Sequence, residues 1–224
     1  MPNDSFASLR CLPMAELYRR MVELEADPMK LRALDAELLA LDRRLWVPLP
    51  GPQQQAYDSP ADEVFFGGAA GPGKTQLLLG LAYTAHRKSI IFRREFTQLR
   101  EIIEQSQHMI GSRGSYSGQD HLWRLHDGRL IEFGSVPHDG DVRKYQGRPH
   151  DLMAFDELPE FTCGQYRFLV GWNRTDDPRQ RCRVVAGGNP PTTVEGRWVV
   201  AEWAPWLDPH YPRPARKTDQ KHAQ

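Results

Sequence analysis

Apolar positions follow two regimes along the chain. Up to Trp46 they recur at spacings of three and four: Leu17, Met21 and Leu24 share one face, and Leu31, Leu34, Leu38, Leu41 and Leu45 form a second series. That period predicts two helices forming a hairpin, with Asp27-Pro28 between them as an N-cap followed by proline at the first helical position. The leucine stripe fits a partner-binding seam or a helix packed on its own domain. From Val64 onward the apolar residues instead come in short continuous runs: Val64-Phe65-Phe66, Ser89-Ile90-Ile91-Phe92-Arg93, Asp151-Leu152-Met153-Ala154-Phe155 and Arg183-Val184-Val185-Ala186. Such runs predict strands of a parallel sheet covered on both faces.

Helical signals lie between these runs. One helix opens at a glycine-rich segment and runs through Leu77-Leu78-Leu79 and Leu81-Ala82 to about His86, apolar nearly all round and so expected to be buried. Leu99, Ile102, Ile103, Ser106 and Ile110 mark a second. Leu122–Leu125 and Arg129–Phe133 flank Asp127-Gly128, a hairpin signal. Pro48–Pro60 reads as an irregular linker and Gly111–Gly118 as a Gly/Ser loop. Trp198, Trp203 and Trp206, near a helical Trp198–Glu202 stretch, read as core and domain edge. The expected organisation is an N-terminal helical segment over 1–49, an α/β domain over 50–207 and a basic, disordered tail over 208–224.

Composition narrows the function classes. Lys+Arg and Asp+Glu balance at 29 each among 224 residues, so no global basic field marks a nucleic-acid binder and any DNA contact must be a local patch. Cys11, Cys163 and Cys182 have no metal-finger or disulfide-framework spacing, which fits a reducing cytoplasm. His121 and His126 have no carboxylate or cysteine at ligand spacing and read as surface or hairpin residues. Neither a leader nor a membrane span is legible, and no membrane partner is expected.

The chemistry lies in a few short motifs. Gly68-Ala69-Ala70-Gly71-Pro72-Gly73-Lys74-Thr75 has the form GxxxxGK[ST] and follows the Val64–Phe66 strand. A strand that breaks into glycines and restarts as a helix aims backbone N–H groups and the helix dipole at one anion. Lys74 supplies a cation for the β and γ oxygens of a nucleotide, and the Thr75 hydroxyl can ligate Mg²⁺. Gly68 through Gln76 is therefore the expected nucleotide site. The fold class follows: a P-loop NTPase with a mainly parallel sheet covered by helices on both faces, preceded by the helical hairpin.

Leu152–Phe155 ends in Asp156-Glu157, the Walker B arrangement, in which the Asp holds Mg²⁺ and the Glu orients an attacking water. A Glu at that position favours a hydrolase over a small-molecule kinase. Asn189, in Gly187-Gly188-Asn189-Pro190-Pro191, can hydrogen-bond a γ-phosphate or the attacking water, or simply open a proline-stopped turn. Gln53, Gln54 and Gln55 precede the first strand, and a glutamine amide can read adenine's N6 and N7 edge. Gln54 and Gln55 enter the candidate set without a choice among the three being possible. An arginine delivered to the γ-phosphate, often from a neighbouring subunit, could be Arg143 or Arg148, on the segment entering the Walker B strand. Arg93 and Arg94, after the second strand, are weaker candidates for phosphate or an acidic partner.

Together these residues resemble the ATPase domain of the large terminase subunit of tailed bacteriophages, the motor that pumps DNA into a prohead. The matching pieces are Phe66–Thr75, Phe92-Arg93-Arg94, Lys144-Tyr145-Gln146-Gly147, Phe155-Asp156-Glu157-Leu158 and Gly188-Asn189-Pro190-Pro191, over about Pro50 to Pro212. The resemblance implies that Lys74 and Thr75 hold ATP and metal, Asp156 assists Mg²⁺, Glu157 is catalytic and Asn189 is the coupling residue. It also implies double-stranded DNA, a small terminase subunit and a homo-oligomeric ring on the portal as partners, in the cytoplasm of a bacterial host. Many such chains carry the transferred arginine just before the glycine upstream of Walker B, where this one has Gln146. They normally continue into a nuclease domain, whereas this sequence stops at Gln224. The expectation is that the nuclease is encoded separately or lost, with no nuclease activity here. The alternatives are a prophage remnant that binds nucleotide without motor activity, or another helicase-like ATPase.

Overall fold

The computed structural model describes residues 46–68, 71, 73–208, 210–212 and 221–223. The expected N-terminal hairpin therefore lies outside the described residues, as do Ala69, Ala70 and Pro72 of the phosphate loop and most of the tail. Within them the elements run α1 (Pro52–Asp58), β1 (Glu63–Gly67), α2 (Lys74–Thr84), β2 (Lys88–Arg93), α3 (Leu99–Ile110), β3 (Gly114–Ser117), β4 (Leu122–Leu125), β5 (Leu130–Ser135), β6 (Leu152–Phe155), α4 (Cys163–Val170), β7 (Arg183–Gly188), α5 (Arg197–Leu207) and β8 (Lys221–Ala223).

The strands make one sheet in the order β3-β4-β5-β2-β6-β7-β1-β8. From β5 to β8 every pairing is parallel, and β3 and β4 add an antiparallel edge. Alternation along each strand sorts its side chains between two cores. Val64 and Phe66 of β1, Ile91 of β2 and Leu152 and Ala154 of β6 meet the buried side of α2 and α3. Phe65, Ile90, Phe92, Met153 and Phe155 point the other way, against Tyr166 and Leu169 of α4 and Val199 and Trp203 of α5. Each fully buried aliphatic or aromatic side chain contributes about 1.5–3 kcal/mol. Both faces are therefore covered, as the continuous apolar runs require.

Several expectations change. Pro52–Asp58 is a helix where an irregular linker was expected, because Pro52 suits a first turn and Gln53 and Ala56, three apart, are buried on one face. Gly114–Ser117 is a strand rather than part of a loop, since the open edge of β4 supplies its ladder. Helix α4 carried no apolar period strong enough to read, yet Thr162 and Gln165 close a reciprocal capping box at its start. Lys221–Ala223, expected within a disordered tail, lies parallel to Glu63–Phe65 as the outermost strand. The three tryptophans do pack as expected: Trp203 is 0% exposed, and Trp198 donates its indole N–H to the Phe161 carbonyl at 2.7 Å.

Candidate active site

All the parallel strands point their carboxyl ends toward one edge of the sheet, and the motif residues gather there. Gly73, at φ 73°, turns the chain from the phosphate loop into α2, and a Cβ there would sit 2.5 Å from the Gln53 amide nitrogen. Lys74 heads the helix at 7% exposure. Its Nζ donates to the Gly68 carbonyl at 3.0 Å and to Asn189 Oδ1 at 2.9 Å, reaching across from β1 to the end of β7. Two amide-type carbonyls, one of the main chain and one of a side chain, thus face the ammonium.

Glu157 has left-handed backbone geometry, φ 57° and ψ 55°, which costs a non-glycine residue about 1–3 kcal/mol. That turn swings its carboxylate toward β7: Oε2 accepts from the Asn189 backbone N–H at 3.1 Å and Oε1 from Asn189 Nδ2 at 3.4 Å. Asn189 therefore touches Lys74 with its side-chain carbonyl and Glu157 with its backbone and side-chain N–H groups. Glu157 and Asn189 open onto a cleft of about 750 Å³ that Arg93, Arg94, Pro191 and Thr192 also line.

Asp156 is 1% exposed. The Thr75 hydroxyl donates to it, 3.2 Å from Oδ1 and 3.1 Å from Oδ2. Arg93 adds Nε at 2.9 Å and NH2 at 2.8 Å, both on Oδ2. Burial pushes the Asp156 carboxyl above the ordinary 3.8, against the opposing pull of the Arg93 charge and the Thr75 bond. Among the described residues no group of three or more His, Cys, Asp or Glu side chains could cage a metal. One buried carboxylate beside one hydroxyl is instead the donor set of a Mg²⁺ site completed by substrate phosphates and water, so Thr75 and Asp156 fit that ion.

The remaining candidates are placed differently. Of the three glutamines it is Gln53, 3% exposed, that the fold aims at the loop, its amide N–H₂ donating to the Gly73 carbonyl at 2.8 Å. Gln54 bonds Asp58 on its own helix, and Gln55 is exposed. Gln76 points along the helix layer to Gln105, 2.9 Å away. Arg143 is exposed, and Arg148 is engaged elsewhere, 2.7 Å from Glu132 and over the Tyr145 ring. Neither lines the cleft within its own chain. Arg93 is the residue that sequence reasoning undervalued, because its proximity to Asp156 depends on β2 and β6 being neighbours, Phe92 beside Phe155.

No protein-family model matches the sequence, and neither does any curated protein. Solved structures do. The HK97 bacteriophage large terminase superposes with a TM-score of 0.54 at 15% identity, over 73% of this chain and 38% of that one. The large terminase from a thermophilic bacteriophage gives 0.52 at 13%, over 64% and 40%. The Thermus phage P74-26 large terminase ATPase domain gives 0.52 at 11%, over 82% and 84%. The chain has the fold of phage large-terminase ATPase domains. It spans 38% of the HK97 protein and 40% of the thermophilic phage's, but most of the isolated P74-26 ATPase domain. The terminase-type fold thus accounts for the described sheet and its flanking helices. No described helix is long and apolar enough to cross a membrane.

Proposed function

We propose that this chain is the ATPase motor domain of a phage DNA-packaging terminase, hydrolysing ATP with Mg²⁺ to move double-stranded DNA into a prohead. The observation that carries this reading is the Lys74–Asn189–Glu157 relay beside the Thr75–Asp156 pair, at the carboxyl edge of a terminase-type sheet. Gly68 to Gln76 surround the phosphates, with Lys74 moving from Gly68 and Asn189 onto the β and γ oxygens. Thr75 and Asp156 would hold Mg²⁺, which would supply positive charge to the phosphates. Glu157 orients a water for in-line attack from the cleft. Asn189 loses its lysine partner when phosphate arrives and regains it on release, so it couples product state to the loop following β7.

Arg143 and Arg148 are exposed enough to serve a neighbouring copy's γ-phosphate rather than their own, in a homo-oligomeric ring on the portal. The small terminase subunit and a separately encoded or lost nuclease complete the proposed setting, in a bacterial host's cytoplasm. Gln53 supports the phosphate loop, and Gln54 and Gln55 are left as candidates for the adenine edge. Turnover should be measured for the purified chain and its Glu157→Gln variant with Mg²⁺, over a range of protein concentrations, with and without duplex DNA. Turnover that rises with concentration or DNA and vanishes in the variant supports the motor. Nucleotide binding without turnover in every condition favours the remnant instead.

A further inference from the structure

The Asp156 carboxylate already has a cation. Nε and NH2 of Arg93 both reach Oδ2, at 2.9 and 2.8 Å, and the Thr75 hydroxyl also reaches that oxygen at 3.1 Å. An ionised carboxylate offers about two lone-pair sites per oxygen, so the two Arg93 N–H groups fill Oδ2, while the single Thr75 O–H is shared between Oδ2 and Oδ1. A Mg²⁺ ion bound at Thr75 needs a place on the same carboxylate for itself or its water. It would also bring a double positive charge within a few ångströms of the guanidinium, in a site only 1% exposed at the aspartate, where like charges are poorly screened. Arg93 and the metal therefore compete as two cations for one buried carboxylate.

Arg93 has somewhere to go. Its own side chain is 16% exposed, and it lines two openings, the cleft with Glu157 and a neighbouring hollow of about 310 Å³. That hollow is walled by Glu101 and Glu104 of α3 together with Arg100, so two carboxylates against one cation leave acceptors for the departing guanidinium. Resting on the ATPase reading of this site, we propose that Arg93 is a positioning residue that occupies the metal's place on Asp156 until Mg²⁺ and nucleotide displace it. It holds the carboxylate in its rotamer, at the expense of metal affinity. Metal binding and Arg93 release are then one exchange, and removing the arginine makes metal binding tighter.

The test uses a fluorescent N-methylanthraniloyl ADP and reads the Mg²⁺ concentration that gives half of the metal-dependent gain in binding. Arg93→Gln should lower that midpoint by about tenfold, the scale of one charge-assisted hydrogen-bonded pair. Arg93→Lys, one point charge without the fork, should fall between. Binding in EDTA sets the baseline of each chain, and only the metal-dependent gain above it is compared. A midpoint that is unchanged, or higher because Asp156 loses its orientation, overturns the proposal. A wild-type chain that binds no nucleotide at any Mg²⁺ concentration overturns the ATPase reading instead. Should the variants fail to melt cooperatively, the wild-type chain decides alone through its arginine Nε–H resonances. The Arg93 signal should be unmoved by ADP in EDTA and shift when Mg²⁺ is added, and a signal indifferent to Mg²⁺ overturns the exchange.

Discussion

Strand β6 has a buried aspartate at each end, and the two are held by different kinds of donor. Asp151, just before the strand, is 2% exposed and accepts from the backbone N–H groups of Arg87 at 3.1 Å and Lys88 at 2.9 Å, and from His86 at 3.0 Å. Asp156, just after it, is equally enclosed but takes its bonds from the Thr75 hydroxyl and the Arg93 guanidinium. Main-chain donors cannot leave without undoing the turn between α2 and β2. Side-chain donors can rotate away. A buried carboxylate held by the backbone belongs to the fold, whereas one held by exchangeable side chains is available to a ligand.

The largest expected effect leaves both aspartates alone. Glu157→Gln should lower ATP turnover by about 10²–10⁴-fold, at a cost of about 1 kcal/mol or less in unfolding free energy, because the amide oxygen can replace only one of the two acceptors that meet Asn189. Next comes a direct exchange of roles. Asp151→Ala strands three donors at a buried site and should cost about 3 kcal/mol of unfolding free energy. Asp156→Ala should cost about 1 kcal/mol or less, since Arg93 can turn outward, yet abolish the Mg²⁺-dependent part of ADP binding. Equal losses in urea titrations would erase the distinction between the two ends.

Acid should act on the two ends with opposite signs. Burial pulls the His86 imidazole below the ordinary 6.5, outweighing the Asp151 carboxylate beside it. The unfolded chain therefore takes up a proton first, so the stability contributed by His86 is complete above pH 6.5 and is lost as pH falls toward the folded value. Asp156, raised above 3.8, is protonated first in the folded chain. As pH drops from that raised value toward 3.8 it adds stability, while Mg²⁺-dependent nucleotide binding weakens over the same interval. His86→Gln should flatten the loss seen in urea titrations as pH falls below 6.5. A wild-type slope that persists in this variant would place the titrating group elsewhere. The smallest effect separates the glutamines: Gln53→Ala, which frees the Gly73 carbonyl, should weaken ADP binding about fivefold, and Gln54→Ala should leave it unchanged. A loss in the Gln54 variant as well would assign Gln54, rather than Gln55, to the adenine edge.

What could be read in advance was whatever is local in sequence. The P-loop spacing, the strand-ending Asp156-Glu157 and the continuous apolar runs each carry their meaning within about ten residues, and β1, α2, β2, α3, the β4–β5 hairpin, β6 and β7 lie close to where those signals put them. Arg93 and Gln53 were harder, because their roles depend on which strands become neighbours and which face of a short helix is buried. Asp151 looked like the first residue of a strand; its partners at 86–88 are brought to it by the β2–β6 pairing. β3 and β8 were missed for the same reason, polar segments whose strand geometry is imposed by an edge already in place. The α4 capping box was legible at Thr162-Cys163-Gly164-Gln165 and was overlooked.

The strand order also sets a schedule for synthesis. β1 and β2 are consecutive parallel strands in the sequence, yet β6 and β7 stand between them in the sheet. As the chain leaves a ribosome, β2 can gain β5 and then β6, but β1 has no central neighbour until β7 emerges, ending at Gly188. The nucleotide loop is thus translated early and assembled late, after more than a hundred further residues are made. Nascent chains arrested before β7 should be unable to retain ADP, and this interval, with the apolar Val64–Phe66 run unpaired, is when a chaperone would have most to hold.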